Sequence, residues 1–140
     1  MTLVEVVVAL AITGLTVGGL ITGYIFCMTS SEKDALAMAA NTRAMERIEE
    51  TRSAIWAPTR AQPVDELVAT NFPDKTVTLD LSGSGSAITS ATLKTDISQI
   101  SPSASLPFSP PVRRIRVDCS WQFKGTAMVT SIETCRAPDQ

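Results

Sequence analysis

Glu5 is the residue whose type and place ask most for an explanation. It is followed by residues 6–28, VVVALAITGLTVGGLITGYIFCM, a run of 23 residues without a charge. An ionised carboxylate in hydrocarbon costs several kcal/mol unless it is paired. The cation within reach is an α-amino group, and the Met1 amine of the same chain is one candidate. The other reading is a solvated acid at the interfacial end of the helix, stabilising its N-terminus. Gly14, Gly18, Gly19 and Gly23 form a second group. Gly14/Gly18 and Gly19/Gly23 are both GxxxG pairs, a spacing that lets two helices approach closely. Each glycine also weakens the helix by roughly 1 kcal/mol against alanine.

The other chemistry-bearing residue types are sparse. Histidine is absent, which removes the commonest general base and metal ligand. The three cysteines, Cys27, Cys119 and Cys135, fit neither a CxxC pair nor a zinc site. No activated nucleophile and no metal constellation is apparent, so the expectation is a protein that is not an enzyme and needs no cofactor. Net charge is −2 and the pI about 5.1, which gives no general reason to bind nucleic acid.

Three segments must position these residues. Residues 1–28 read as an apolar helix, and the uncharged run alone spans roughly 35 Å, enough for a bilayer core. Residues 29–57 read as its amphipathic continuation, free of Gly and Pro until Pro58. Ala37, Met38, Ala44, Met45, Ile48, Ile55 and Trp56 share one arc at 100° per residue. Glu32, Arg43, Glu46, Arg47 and Glu50 share the opposite arc. One helix over both segments would be roughly 85 Å long, too long for a domain of this size to bury.

Residues 58–140 read as a β-rich globular head. Residues 76–81 and 88–94 are expected strands, with Ser82–Ser86 as a turn between them, and 101–111 carries four prolines and reads as irregular. The best strand is 112–123, with Ile115, Val117, Cys119, Trp121 and Phe123 on its core face. Lys124-Gly125 reads as a two-residue turn into strand 126–135. That turn sets Cys119 opposite Thr130 and Cys135 opposite Arg114. The two cysteines then lie too far apart for a disulfide, so the hairpin and a Cys119–Cys135 bridge exclude each other, and the hairpin is favoured. Cys27 reads as a small buried apolar residue. Arg113, Arg114 and Arg116, with Lys124, could form a phosphate-facing stripe. The acidic pI, Asp118 among them and the lack of an aromatic on that face weigh against DNA binding and for a solvated strand face.

The opening MTLVEVVVALAITGL resembles the N-terminus of mature type IV pilins and type II secretion pseudopilins. Thr2, Leu3 and Glu5 match the family pattern, and Gly14 falls where the family commonly has glycine. Met1 stands in place of the usual Phe, and Thr22 where a proline is common. The resemblance implies an α+β fold: a long N-terminal helix, apolar in its first half, packed on a small antiparallel sheet. It implies that a prepilin peptidase removed a basic leader and N-methylated Met1. It also implies that Glu5 pairs with the Met1 amine of a neighbouring subunit and so sets register in a helical filament of identical chains. Melting of the helix around the four glycines on assembly is allowed by it, as an alternative or addition to tight packing. The family often has a C-terminal disulfide, which would be Cys119–Cys135 here.

The function so implied is a structural subunit of an extracellular type IV pilus-like filament. It would rest in the inner membrane until a platform protein and an assembly ATPase extrude it to the cell surface. The head is expected to cover Met38, Met45, Ile48 and Ile55 and to form the outer wall of the fibre. A type II secretion or competence pseudopilus subunit shares this architecture, though the aspartate-rich calcium loop of major secretion pseudopilins is not visible near the C-terminus. From another class, a signal-anchored domain that binds a ligand and never polymerises would explain residues 6–28 and leave Glu5 an accident.

Overall fold

Helix α1 runs without interruption over Leu3–Ser53 in a computed structural model that describes residues 2–79, 88–100 and 111–139. Met1, the Ser82–Ser86 turn and nearly all of the proline-rich segment lie outside the described residues. The chain divides into two units, Met1–Ala35 and Leu36–Gln140. The first is helix alone. Its apolar stretch is long enough to cross a membrane, and none of it is buried within the chain.

The threonine hydroxyls in and beside this apolar stretch are satisfied by the helix itself. Thr13 donates to the carbonyl of Ala9 at 2.8 Å, Thr22 to Gly18 and Thr29 to Ile25 at 2.9 Å each, and Thr16 to Thr13 at 2.9 Å. Such back-bonding removes the penalty of carrying a free hydroxyl into hydrocarbon.

In the second unit α1 packs on a four-stranded antiparallel sheet of order β3-β4-β5-β6. The strands are β3 (Lys75–Thr78), β4 (Ser90–Ile100), β5 (Val112–Phe123) and β6 (Thr126–Arg136). Two short strands, β1 (Trp56–Ala57) and β2 (Val64–Asp65), pair with each other, and a 3-10 turn covers Ala69–Asn71. The fold is therefore α+β, a long helix on antiparallel sheets, as expected.

The core joins Ala40, Ala44 and Ile48 of α1 to Leu93, Ile115, Val117, Cys119 and Trp121 of the sheet, with Trp56, Leu67, Phe72 and Leu79 closing it. β5 alternates as its sequence requires: Ile115, Val117, Cys119 and Trp121 are buried and Phe123 is half-buried.

The helix face differs from expectation. Met38 and Met45 are 73% and 50% exposed and Ile55 is 42% exposed, whereas Arg47 is buried. Ala44 and Ile48 are buried as expected, and Ala40 and Thr51 complete the contact stripe. Alanines let the helix sit close to a sheet whose own side chains are large, and the flexible methionines fall outside that seam. Arg47 enters it because its charge is fully engaged. It donates to Thr95 Oγ1 at 3.1 Å, to Glu50 Oε2 at 2.6 Å and to the Pro73 carbonyl at 2.7 Å, with Cζ 5.3 Å from the Phe72 centroid.

The helix also stops at Ser53, short of residue 57. Ala57 precedes Pro58 and is driven extended, where it pairs with Val64. Near the C-terminal turn of α1, Arg136 donates to the Thr51 carbonyl at 2.8 Å and Ser53 Oγ to that of Glu50 at 2.8 Å.

Candidate assembly site

Thr2 is the residue preceding α1, and Glu5 stands three positions into it. The Thr2 backbone N–H donates to Glu5 Oε2 at 3.4 Å, while the Thr2 carbonyl accepts from the N–H of Glu5 at 3.0 Å. This is half of a capping box: an acid at the third helical position reaching back to an orphan N–H. The Thr-x-x-Glu spacing that specifies it is plain in TLVE, and reading Glu5 only as a charge overlooks it. The side chain is exposed, and it begins a stripe of Glu5, Val6, Ala9, Leu10 and Thr13 along a shallow groove of about 310 Å³. Apart from Glu5 the groove is almost wholly apolar. The Met1 amine lies outside the described residues, so the proposed partner of Glu5 does too.

Gly14, Gly18, Gly19 and Gly23 are all helical, and a Cβ placed on any of them would meet nothing within 4 Å. No contact within the chain requires them to be glycine. Around them Leu15, Leu20 and Phe26 are 78%, 74% and 73% exposed. A surface so apolar is stable only in lipid or against other helices.

The remaining candidates lie on the sheet. Lys124 and Gly125 have φ of 48° and 79°, the left-handed pair of a type I′ turn. The register that follows places Cys119 opposite Thr130 and Cys135 opposite Arg114. Cys119 is buried, Cys135 exposed, and neither forms a disulfide. The hairpin thus excludes the Cys119–Cys135 bridge that the resemblance suggested. Burial pushes the Cys119 thiol above its usual range. Cys27 is exposed within the single chain and would find an apolar environment only outside it.

The arginines do not form a phosphate stripe. Arg113 forks onto both oxygens of Asp65 at 2.6 Å each and lies over Trp56. Arg114 reaches Glu133 at 3.7 Å, and Arg116 reaches Asp118 at 2.9 Å. Lys124 has its ammonium 5.1 Å from the Phe123 centroid. Hydrogen bonds from Ser131 and then Arg116 hold Asp118 below the usual carboxylate range, and the Arg113 fork does the same for Asp65. A polar depression of about 560 Å³ over Ser90, Thr92, Ser120 and Gln122 contains none of the expected site residues. Among the described residues, no three or more of His, Cys, Asp and Glu come together as a metal site.

The sequence-predicted residues are therefore not gathered in one pocket. Thr2, Glu5 and the four glycines follow one another along the apolar part of α1, and the cysteines and arginines belong to the head. A scan of protein-family models, a search of curated proteins and a search of solved structures each find no match to the chain.

Proposed function

We propose that this chain is a structural, non-catalytic subunit of a type IV pilus-like extracellular filament. The reading is carried by Glu5, a lone acid at the head of a helix whose next 23 residues are uncharged and wholly exposed within the chain up to Ala9 and beyond, through Met28. Its layout supports the reading: an apolar membrane-capable helix that continues without a break onto a small antiparallel sheet. Before assembly residues 6–28 rest in the inner membrane. Assembly exchanges lipid for helix contacts, so the hydrophobic gain is small and an external ATPase and platform protein must supply the work. In the filament Glu5 pairs with the methylated Met1 amine of a neighbouring copy, and Gly14, Gly18, Gly19 and Gly23 permit close packing or local melting. A pilus is favoured over a secretion or competence pseudopilus.

The bond from the Thr2 N–H to Glu5 favours a second reading, in which Glu5 caps the helix of an anchored domain that never polymerises. Glu5→Gln separates the two, because glutamine serves a capping box as well as glutamate but carries no charge. With register set by charge, E5Q inserts into the membrane normally and yields no regular filaments by negative-stain imaging of sheared cells, as does Glu5→Ala. Wild-type fibres from E5Q would remove the charge pairing. No fibres from the native chain would remove the filament.

A further inference from the structure

We propose that residues 29–34 form a hinge, at which α1 can end at Met28 and restart with Thr29 as the N-cap of its second half. Thr29-Ser30-Ser31-Glu32 is a Thr-x-x-Glu box, the same signal that starts α1 at Thr2 and Glu5. Here it stands inside an unbroken helix. The Thr29 hydroxyl is turned back to the Ile25 carbonyl at 2.9 Å, so in this form it caps nothing. Thr29, Ser30, Ser31 and Asp34 are also poor helix formers, because their side chains compete for the backbone.

The stretch supports neither of its neighbours. The uncharged run ends at Met28. Burial in the head begins with Ala35, Leu36 and Ala37, which are half-buried, and Ala39, which is buried. Between them Ser30–Asp34 are exposed. None of residues 29–34 belongs to the core, and the two units of the chain divide at Ala35 and Leu36. A break here therefore costs little beyond the helix's own hydrogen bonds. Gly14, Gly18, Gly19 and Gly23 also weaken α1, but a break among them leaves N–H and C=O groups in hydrocarbon without water. At 29–34 water replaces the lost partners.

Ending the first half at Met28 frees the N–H groups of Thr29, Ser30, Ser31 and Glu32 from the carbonyls four residues back. The box satisfies the outer two again. The Thr29 hydroxyl accepts from the Glu32 N–H, and the Glu32 carboxylate accepts from the Thr29 N–H. Glu32 and Asp34 come to stand in a first turn, where the helix dipole favours acids, with Lys33 the one opposing charge. No glycine or asparagine follows Met28 to close the upstream half. The unbroken helix is therefore the ground state, and the bend is a minor one. Its opening leaves the apolar surface of residues 6–28 and the core of the head as they are. It requires no filament.

The test is amide hydrogen exchange of the full-length chain in lipid nanodiscs, one chain in each, read residue by residue by mass spectrometry. Ser30 and Ser31 report, because the box leaves their amides uncapped. Relative to the unfolded chain, both are expected to exchange at least about tenfold faster than Ala44 and Ile48. Thr29→Val keeps the shape and β-branching of the side chain but removes the cap. It destabilises the broken form and is expected to slow Ser30 and Ser31 on the order of fivefold. Thr29→Ser keeps the cap and leaves the rate near that of the native chain. A helix that is merely weak here gives the opposite sign, because valine loses the bond that Thr29 makes to Ile25 in the unbroken form. Unaltered exchange at Ala44 and Ile48 checks that the head of each variant is folded. Ser30 and Ser31 as slow as Ala44 in the native chain, unchanged or faster in Thr29→Val, or slowed equally by Thr29→Ser, overturn the proposal.

Discussion

The Cζ of Arg113 stands 4.6 Å from the Trp56 ring centroid while its two terminal nitrogens each hold one oxygen of Asp65 at 2.6 Å. Arg113 also donates to the Leu67 carbonyl. One side chain of β5 thus fastens β1, β2 and the loop after β2 to the sheet. This loop is short of regular structure, so such fastening decides whether Trp56 and Leu67 stay in the core. Arg113→Ala is expected to destabilise the head by about 1–3 kcal/mol, since it uncovers Trp56 and leaves the Leu67 carbonyl without its donor, while the water-exposed Asp65 carboxylate adds little. Arg113→Lys should recover little, because an ammonium cannot fork across a carboxylate and stack on an indole together. Urea unfolding of the detergent-solubilised chain, followed by tryptophan fluorescence, reads both.

The head should be acid-sensitive. Asp65 is held below the ordinary carboxylate range by its hydrogen bonds from Arg113, Asp139 by the Trp56 backbone N–H and then Arg136, and Glu50 by Arg47. A depressed folded value contributes stability that is fully present above the unfolded value and is lost as pH falls through the folded one. The melting temperature is therefore expected to be flat near neutrality and to fall below roughly pH 4. Each contribution is small because water reaches these groups. Asp65→Asn should lower stability at pH 7 and make the acid limb shallower. An unchanged acid limb in both Asp65→Asn and Asp139→Asn would show that these pairs do not govern it.

Much of this was legible in the sequence, where local rules suffice. The β5 alternation and the Lys124-Gly125 turn are set by neighbours two to four residues apart, and they gave the register of Cys119 and Cys135 to the residue. The apolar run is equally local, and so is the Thr-x-x-Glu cap, which a reading of Glu5 as a charge alone missed. The face of α1 was legible only in Ala44 and Ile48, because hydrophobicity alone also puts Met38 and Met45 inside and Arg47 outside. The outcome depends on what the sheet offers: Thr95, the Pro73 carbonyl and Phe72 lie 25 or more residues away along the chain. Arg113 was misread as a solvated strand-face charge for the same reason, since Asp65 is remote in sequence. Small residues carry no strong pattern signal, yet Ala40 and Ala44 fix how close the helix comes.

That contact gives a paired test on two adjacent helix positions. Ala44 is fully buried, whereas Met45 is 50% exposed. Ala44→Leu forces methylenes into a filled seam and should destabilise the head by about 1–3 kcal/mol. Met45→Ala should change stability by no more than about 0.5 kcal/mol. The opposite ranking is what a core built on the methionines would give, so one pair of melting curves distinguishes the two faces.

Thiol reactivity should separate Cys119 from Cys135 although they belong to adjacent strands. Cys119 is 0% exposed and its thiol is pushed up by burial, while Cys135 is exposed on the outer face of β6 opposite Arg114. The thiolate is the reactive form, so burial protects Cys119 twice, by blocking access and by disfavouring ionisation. In the Cys27→Ser chain, a water-soluble maleimide is expected to modify Cys135 at least about a hundredfold faster than Cys119, which should react only as the head opens. Urea that unfolds the head should bring the two rates together, without any prior reduction. If labelling instead requires a reductant and then consumes both thiols at once, a Cys119–Cys135 bridge exists and the β5–β6 register is not the one described. Mass spectrometry of the labelled peptides decides between these outcomes directly.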